Sequence, residues 1–151
     1  MKKVVMIFSL ILVLAGCGGE SKAKEVTCKL DYGSSEIVDE VTATYDGDKK
    51  VEKIIVTREA ALADYLFEDY EIEELEELYK NDYINPNKKQ KGLEFDISVD
   101  KKKKKLSVKI EIDPSKASEG DVKELGIKEY KNIKKLVKEL EAEEYSCGKI
   151  E

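Results

Sequence analysis

The sequence predicts an α+β domain: a largely antiparallel sheet of about five to six strands with two main helices packed on one face. Three observations lead there. Residues 93–99 and 106–112 alternate apolar and polar side chains, as half-buried strands do. Residues 25–58 hold three more such segments separated by turn residues. Apolar side chains then recur at helical spacing at Ile72, Leu75, Leu78 and Tyr79, and again at Ile133, Leu136, Val137 and Leu140.

The elements follow in order. Glu25 to Tyr32 alternates with Val26, Cys28, Leu30 and Tyr32 on one face, and Gly33-Ser34-Ser35 reads as a turn. Ile37 to Tyr45 is a second strand, with Ile37, Val41, Ala43 and Tyr45 in register. Asp46-Gly47-Asp48 supplies hairpin chemistry, since glycine accepts a positive φ at little cost. Lys50 to Arg58 is a third strand, apolar on both faces at Ile54-Ile55-Val56 and therefore suited to a central place. Ala60 to Phe67 reads as a short helix and Glu71 to Asn81 as a longer one, stopped at Asn85-Pro86-Asn87. Lys101 to Lys105 join the next two strands as a hairpin tip, and Asp113-Pro114 closes that hairpin. Ser118 to Ile127 has room for one helical turn, Lys128 to Glu143 is amphipathic, and Tyr145 to Ile150 is a terminal strand carrying Cys147. Hairpin connections dominate, and the helices are the available cover for the apolar face.

The N-terminus has a different character. Lys2 and Lys3 precede an uncharged apolar run from Val4 to Leu14. That run falls short of the roughly 20 residues needed to span a bilayer. It has the length of a signal-peptide core. It ends in Leu14-Ala15-Gly16-Cys17, which resembles the bacterial lipobox. The resemblance implies a signal peptide at residues 1–16, a diacylglycerol thioether on Cys17, and cleavage that leaves Cys17 as the first residue. Two acyl chains suffice for stable anchoring. Residues 17–24 read as the lipidated cysteine with its tether, and 25–151 as a single domain. The competing reading is a buried apolar helix with an incidental cysteine; the flanking lysines and the polar stretch from Gly18 to Lys24 oppose it.

Removal of residues 1–16 takes away two lysines and no acids, so 25 basic and 33 acidic residues remain, a formal charge of −8. An acidic surface argues against nucleic acid as a partner, because phosphate binding needs a basic footprint. It also keeps the domain off an anionic membrane except through an anchor. With Cys17 lipidated, Cys28 and Cys147 are left, an even number in an exported chain. A bridge between them would close nearly the whole domain as one loop, worth roughly 4 to 5 kcal/mol in the chain-entropy picture. Two separate buried thiols and a redox pair are the alternatives, the latter usually marked by a C-x-x-C spacing that this sequence lacks.

The lipobox, Thr27-Cys28-Lys29 in the first strand, and the hairpin Tyr45-Asp46-Gly47-Asp48-Lys49-Lys50-Val51-Glu52-Lys53 together resemble the YehR-like family of small bacterial lipoproteins. The order of later elements agrees. The family hairpin typically runs Tyr-x-Gly-Asp-Lys-Val, whereas Lys49-Lys50 here adds one lysine, which leaves the register of the third strand open by one residue. The resemblance implies location and fold, and transfers no active site.

The usual chemistry is missing. The chain has no histidine, so Ser-His-Asp and Cys-His arrangements are impossible. No glycine-rich phosphate loop appears, and zinc would need more thiolates than remain. Glu71, Glu73, Glu74, Glu76 and Glu77 could gather a hard cation, but they read more simply as the solvated face of a helix. Asp46 and Asp48 invite the same thought, and turn chemistry explains them better. Lys101 to Lys105 could touch anionic lipids or wall polymers; an exposed tip that discourages edge-to-edge pairing is the plainer reading. Tyr65, Tyr70, Tyr79 and Tyr83 with Phe67 could line a ligand groove, although aromatic rows at this spacing are more often core. The expectation is a non-enzymatic lipoprotein, lipid-anchored through Cys17 on the extracytoplasmic face of the cell membrane, with no cofactor or metal. It would act on an unidentified protein or small-molecule partner, the alternative being a ligand- or metal-binding module of the cell envelope.

Overall fold

A computed structural model describes residues 23–33, 37–84 and 90–151. The expected signal peptide, Cys17, most of the expected tether, the Ser34-Ser35 turn and Asn85-Pro86-Asn87 lie outside the described residues.

Six strands form one antiparallel sheet: β1 (Lys24–Asp31), β2 (Ile37–Tyr45), β3 (Val51–Ala61), β4 (Leu93–Asp100), β5 (Lys105–Ile112) and β6 (Ser146–Cys147). Their spatial order is β4-β5-β3-β2-β1-β6. Among the described residues four helices accompany them: α1 (Leu66–Asp69), α2 (Ile72–Tyr83), α3 (Glu119–Glu124) and α4 (Ile133–Ala142). The class is α+β, as the sequence implies, and β3 does take a central place.

One face of the sheet carries the core. Val26, Cys28, Val41, Ala43, Ile54, Val108, Ile110 and Ile112 are buried there. Leu75 of α2, Val122 of α3, and Ile133, Leu136, Val137 and Leu140 of α4 close over them. The opposite face stays open. Lys29 pairs with Glu40 at 2.6 Å, Lys109 with Glu111 at 2.6 Å, and Thr27 with Thr42 through their hydroxyls at 3.1 Å.

The extra lysine in the β2–β3 hairpin has a structural outcome. Tyr45 pairs with Val51 but Thr44 pairs with Lys53, so Glu52 is skipped as a bulge. Lys49 adopts a left-handed φ of 66° to make the turn. Asp46 stabilises it, its Oδ1 accepting from the amides of Asp48 and Lys50 at 3.0 and 2.8 Å.

Three element expectations need correction, the third at the terminal strand. Ala60 and Ala61 are not helical: they continue β3 and pair with Leu106 and Lys105. Alanine's helix propensity is small beside the ladder bonds offered by a long β5, so tertiary pairing wins, and only Leu66–Asp69 is helical there. The last long helix starts at Ile133, not Lys128. The amides of Lys128 and Glu129 donate to the Glu139 carboxylate at 2.8 and 2.6 Å, and the amide of Val51 donates to the Lys131 carbonyl. Those bonds hold 128–131 out of the helix, and the Asn132 side chain caps the helix that follows, accepting from the amides of Lys134 and Lys135.

The first and last strands lie side by side. Cys28 lies opposite Cys147 in the β1–β6 pairing, and a disulfide joins them. The terminal strand is shorter than expected, two residues rather than six, since Gly148 makes one more bond to β1 and pairing then stops.

Candidate functional site

On the covered face, alternation should place apolar side chains at every second residue of β2 and β3. It does at Val41, Ala43 and Tyr45, and at Ile54 and Val56. At one register position it fails in both strands at once. Asp39 stands opposite Arg58, facing inward on adjacent strands.

Asp39 is buried to 1 % exposure. Arg58 grips it with two bonds, Nε to Oδ1 at 2.6 Å and Nη2 to Oδ2 at 2.5 Å. Two tyrosine hydroxyls add long contacts to Oδ2, Tyr32 at 3.4 Å and Tyr145 at 3.5 Å. The fork geometry is the strong form of ion pair. Hydrogen bonding to Asp39 holds the Arg58 guanidinium well above its ordinary range. Burial, and then the Asp39 charge, push the Tyr145 hydroxyl up to about 12, and the same two causes raise Tyr32.

The pair forms the floor of a cleft. A hollow of about 900 Å³ lies on its α4 side, walled by Leu30, Val41, Val56, Leu125, Leu140 and Tyr145. Asp31, Lys128, Glu139, Glu143 and Glu144 make its rim. A second hollow of about 250 Å³ lies toward α2, lined by Tyr83, Gln90, Val108 and Leu125. Arg58, Val56 and Leu125 border both. Gln90 Oε1 is buried with no hydrogen-bond partner among the described residues. The lining mixes apolar walls with charged groups, and the volume of the larger hollow falls within the range of small-molecule sites.

Local sequence explains the placement of the walls. Glu144 takes a left-handed φ of 69° just past α4, a strained state for a residue with a Cβ. The turn sends Tyr145 back under α4, its amide donating to the Leu140 carbonyl at 3.0 Å, and aims its ring at Asp39. The Cys28–Cys147 bond, two residues on, fixes that position. The cleft mouth at Asp31 and Tyr32 lies at the end of the sheet opposite Lys24, because Lys24 pairs with Tyr45 and Asp31 with Val38.

Other sequence candidates have structural duties. Glu71 and Glu74 form a capping box at the start of α2, and Glu76 Oε1 accepts the amide of Val99 at 2.9 Å, tying α2 to the edge strand. Among the described residues no three carboxylates or thiolates are gathered as a metal site. The tyrosine row does not form one groove. Tyr65 and Tyr70 are exposed, Tyr79 and Phe67 pack against the core, and only Tyr83 borders a hollow that Arg58 shares. In the lysine tip, Asp100 accepts the amides of Lys102 and Lys103, and Lys104 pairs with Asp64 at 2.8 Å. The tip shares the sheet end of Asp31, since Ala61 pairs with Lys105. Among the described residues no helix is long and apolar enough to cross a membrane.

A protein from Streptococcus pneumoniae TIGR4, solved by NMR, has a similar structure: TM-score 0.62 over 98 % of each chain, at 12 % sequence identity. At that identity the likeness shows the fold alone. No family model and no curated protein matches the sequence.

Proposed function

We propose that this chain is a lipid-anchored binding protein of the cell envelope, held through Cys17, and that its ligand site is the cleft over Asp39 and Arg58. One observation carries the binding half: a buried carboxylate held by a half-exposed guanidinium on the floor of an open cavity. Buried ion pairs add little to stability relative to apolar side chains of similar volume, so a fold gains little by keeping one in an otherwise apolar face. Ligand sites need such groups. The anchoring half rests on Lys2, Lys3, the apolar run to Leu14 and the lipobox-like Leu14-Ala15-Gly16-Cys17. The resemblance to the YehR-like lipoproteins supports the same setting. With no histidine in the chain and the buried Asp39 carboxylate already bound to arginine, binding without catalysis is the fitting activity.

The anchor also orients the cleft. The seven residues from Cys17 to Lys24 reach about 25 Å at most. Lys24 lies at the sheet end away from the cleft mouth and the lysine tip. Both then face away from the lipid surface, which favours a wall polymer over anionic lipid as a target for Lys101 to Lys105.

Intact and native mass spectrometry of the protein from its own membrane tests both halves. The expected result is a chain starting at Cys17, raised in mass by acyl groups and by two protons on reduction, with a small molecule retained under native conditions. Leu125→Trp, which fills the cleft, should lose that molecule. An unlipidated chain starting at Met1 would contradict the anchor; no bound molecule, or one retained by the plugged variant, would contradict the site.

A further inference from the structure

The chemistry of the cleft narrows the kind of ligand. Asp39 occupies the Nε/Nη2 edge of Arg58, two of its five donors. The guanidinium side chain remains 43 % exposed and borders both hollows. Asp39 holds the guanidinium rigidly, the Tyr83 and Tyr32 hydroxyls also lie against it, and its remaining donors border the cavity, where they suit a planar carboxylate. A simple anion meets a problem at the mouth, however. Asp31, Glu139, Glu143 and Glu144 stand there against one cation, Lys128.

The rim carboxylates are not equivalent. Glu139 is engaged by two backbone amides and Asp31 by the amide of Gly33. Glu143 and Glu144 make no side-chain bond to another described residue. They are placed by the strained left-handed turn at Glu144, the same turn that builds the Tyr145 wall. The cleft therefore offers a positive group at its floor, apolar and tyrosine walls between, and negative groups at its mouth. A ligand with a carboxylate at one end, an ammonium at the other and apolar substance between matches that order.

We infer that the cleft takes an amino acid or short peptide as its zwitterion, carboxylate on the outer edge of Arg58 and ammonium toward Glu143 and Glu144, an inference that rests on the cleft being a binding site. The cavity is large enough for two residues, within the usual range for small-ligand sites. The smaller hollow beyond Arg58 continues it, and Gln90 Oε1, unpartnered among the described residues, is an acceptor there for a ligand N–H.

The test is calorimetric titration of the full chain in detergent micelles with leucyl-leucine, N-acetyl-leucyl-leucine and leucyl-leucinamide. Leucyl-leucine should bind, and blocking either end should weaken binding on the order of ten- to a hundredfold, the range for one charge-assisted bond. Arg58→Lys keeps a cation beside Asp39 while losing the planar fork. It should weaken leucyl-leucine and leave leucyl-leucinamide as it was. Glu143→Gln with Glu144→Gln, both on the exposed helix end, should weaken leucyl-leucine and leave the acetylated dipeptide as it was. Equal binding of all three dipeptides, or binding of none, overturns the inference. If none binds while the membrane-purified protein still carries a cleft-dependent small molecule, the ligand class is wrong and the site stands. If no such molecule is found either, both readings fall.

Discussion

On the open face of the sheet Lys29 meets Glu40 at 2.6 Å, and Lys105 meets Glu59 at 3.4 Å, with all four side chains more than a third exposed. On the covered face Arg58 meets Asp39 at 2.5 Å, with the Asp39 side chain 2 % exposed. The contacts look alike and their consequences differ. Exposed pairs stay in high dielectric and are screened by salt, so they contribute about 0 to 1 kcal/mol. Asp39 has lost its water and depends on Arg58, whose side chain stays 43 % exposed. In a chain with 40 % charged residues, Asp39 thus differs from the other carboxylates of these pairs in being buried.

The largest effect that bears on this contrast is covalent. Cys28 is on the covered face and its bond to Cys147 spans 119 residues of sequence. Replacing both with serine should cost about 4 to 5 kcal/mol in the loop-entropy picture. It should also release Tyr145 from Asp39. Denaturant unfolding with tyrosine fluorescence reads both; an unchanged midpoint would remove the disulfide from the account of the cleft.

Arg58→Ala comes next. It strands a buried carboxylate and should cost about 3 to 5 kcal/mol. A loss of less than about 1 kcal/mol, the range of a surface pair, would erase the distinction between the faces.

A smaller effect follows from the raised Tyr145 hydroxyl. The folded state favours the neutral phenol, so its contribution is complete below pH 10 and is lost as pH rises through about 12. The ultraviolet titration difference between wild type and Tyr145→Phe should show a midpoint near 12. A midpoint at the ordinary tyrosine value of about 10 would mean that the ring does not lie against Asp39. The smallest effect belongs to the open face. Lys29→Ala should change stability by less than about 1 kcal/mol, and added salt should shrink even that. A larger loss would show that the outer pairs are structural after all.

Much of this arrangement could be read from residues. The strands at 93–99 and 106–112 and the apolar stripe of α4 announce themselves by period, because one face of each is buried and the other is wet. Parity of cysteines pointed to Cys28 and Cys147, and register placed them opposite one another. The helix expected at Ala60 failed because the length of a partner strand, not local propensity, decides where a strand ends. The site was legible in principle and was missed. In β2 the inward series Ile37, Val41, Ala43, Tyr45 has a gap at Asp39, and Arg58 ends the apolar run of β3. Each reads alone as a strand-end charge. Only the β2–β3 register makes them partners, and that register depends on a one-residue bulge at Glu52. Glu143, Glu144 and Tyr145 gave no signal at all, since the turn that carries them to the cleft is made without glycine.

The central claim is that Asp39 and Arg58 are kept for a ligand rather than for the fold. The direct test is the double variant Asp39→Leu with Arg58→Leu, measured for stability by denaturant unfolding and for its retained small molecule by native mass spectrometry. Apolar replacement of a buried pair is often neutral or stabilising by about 1 to 4 kcal/mol, so the variant should fold at least as firmly as the wild type and lose the molecule. A variant that folds well and still holds its ligand, or one that loses several kcal/mol of stability, would contradict the claim.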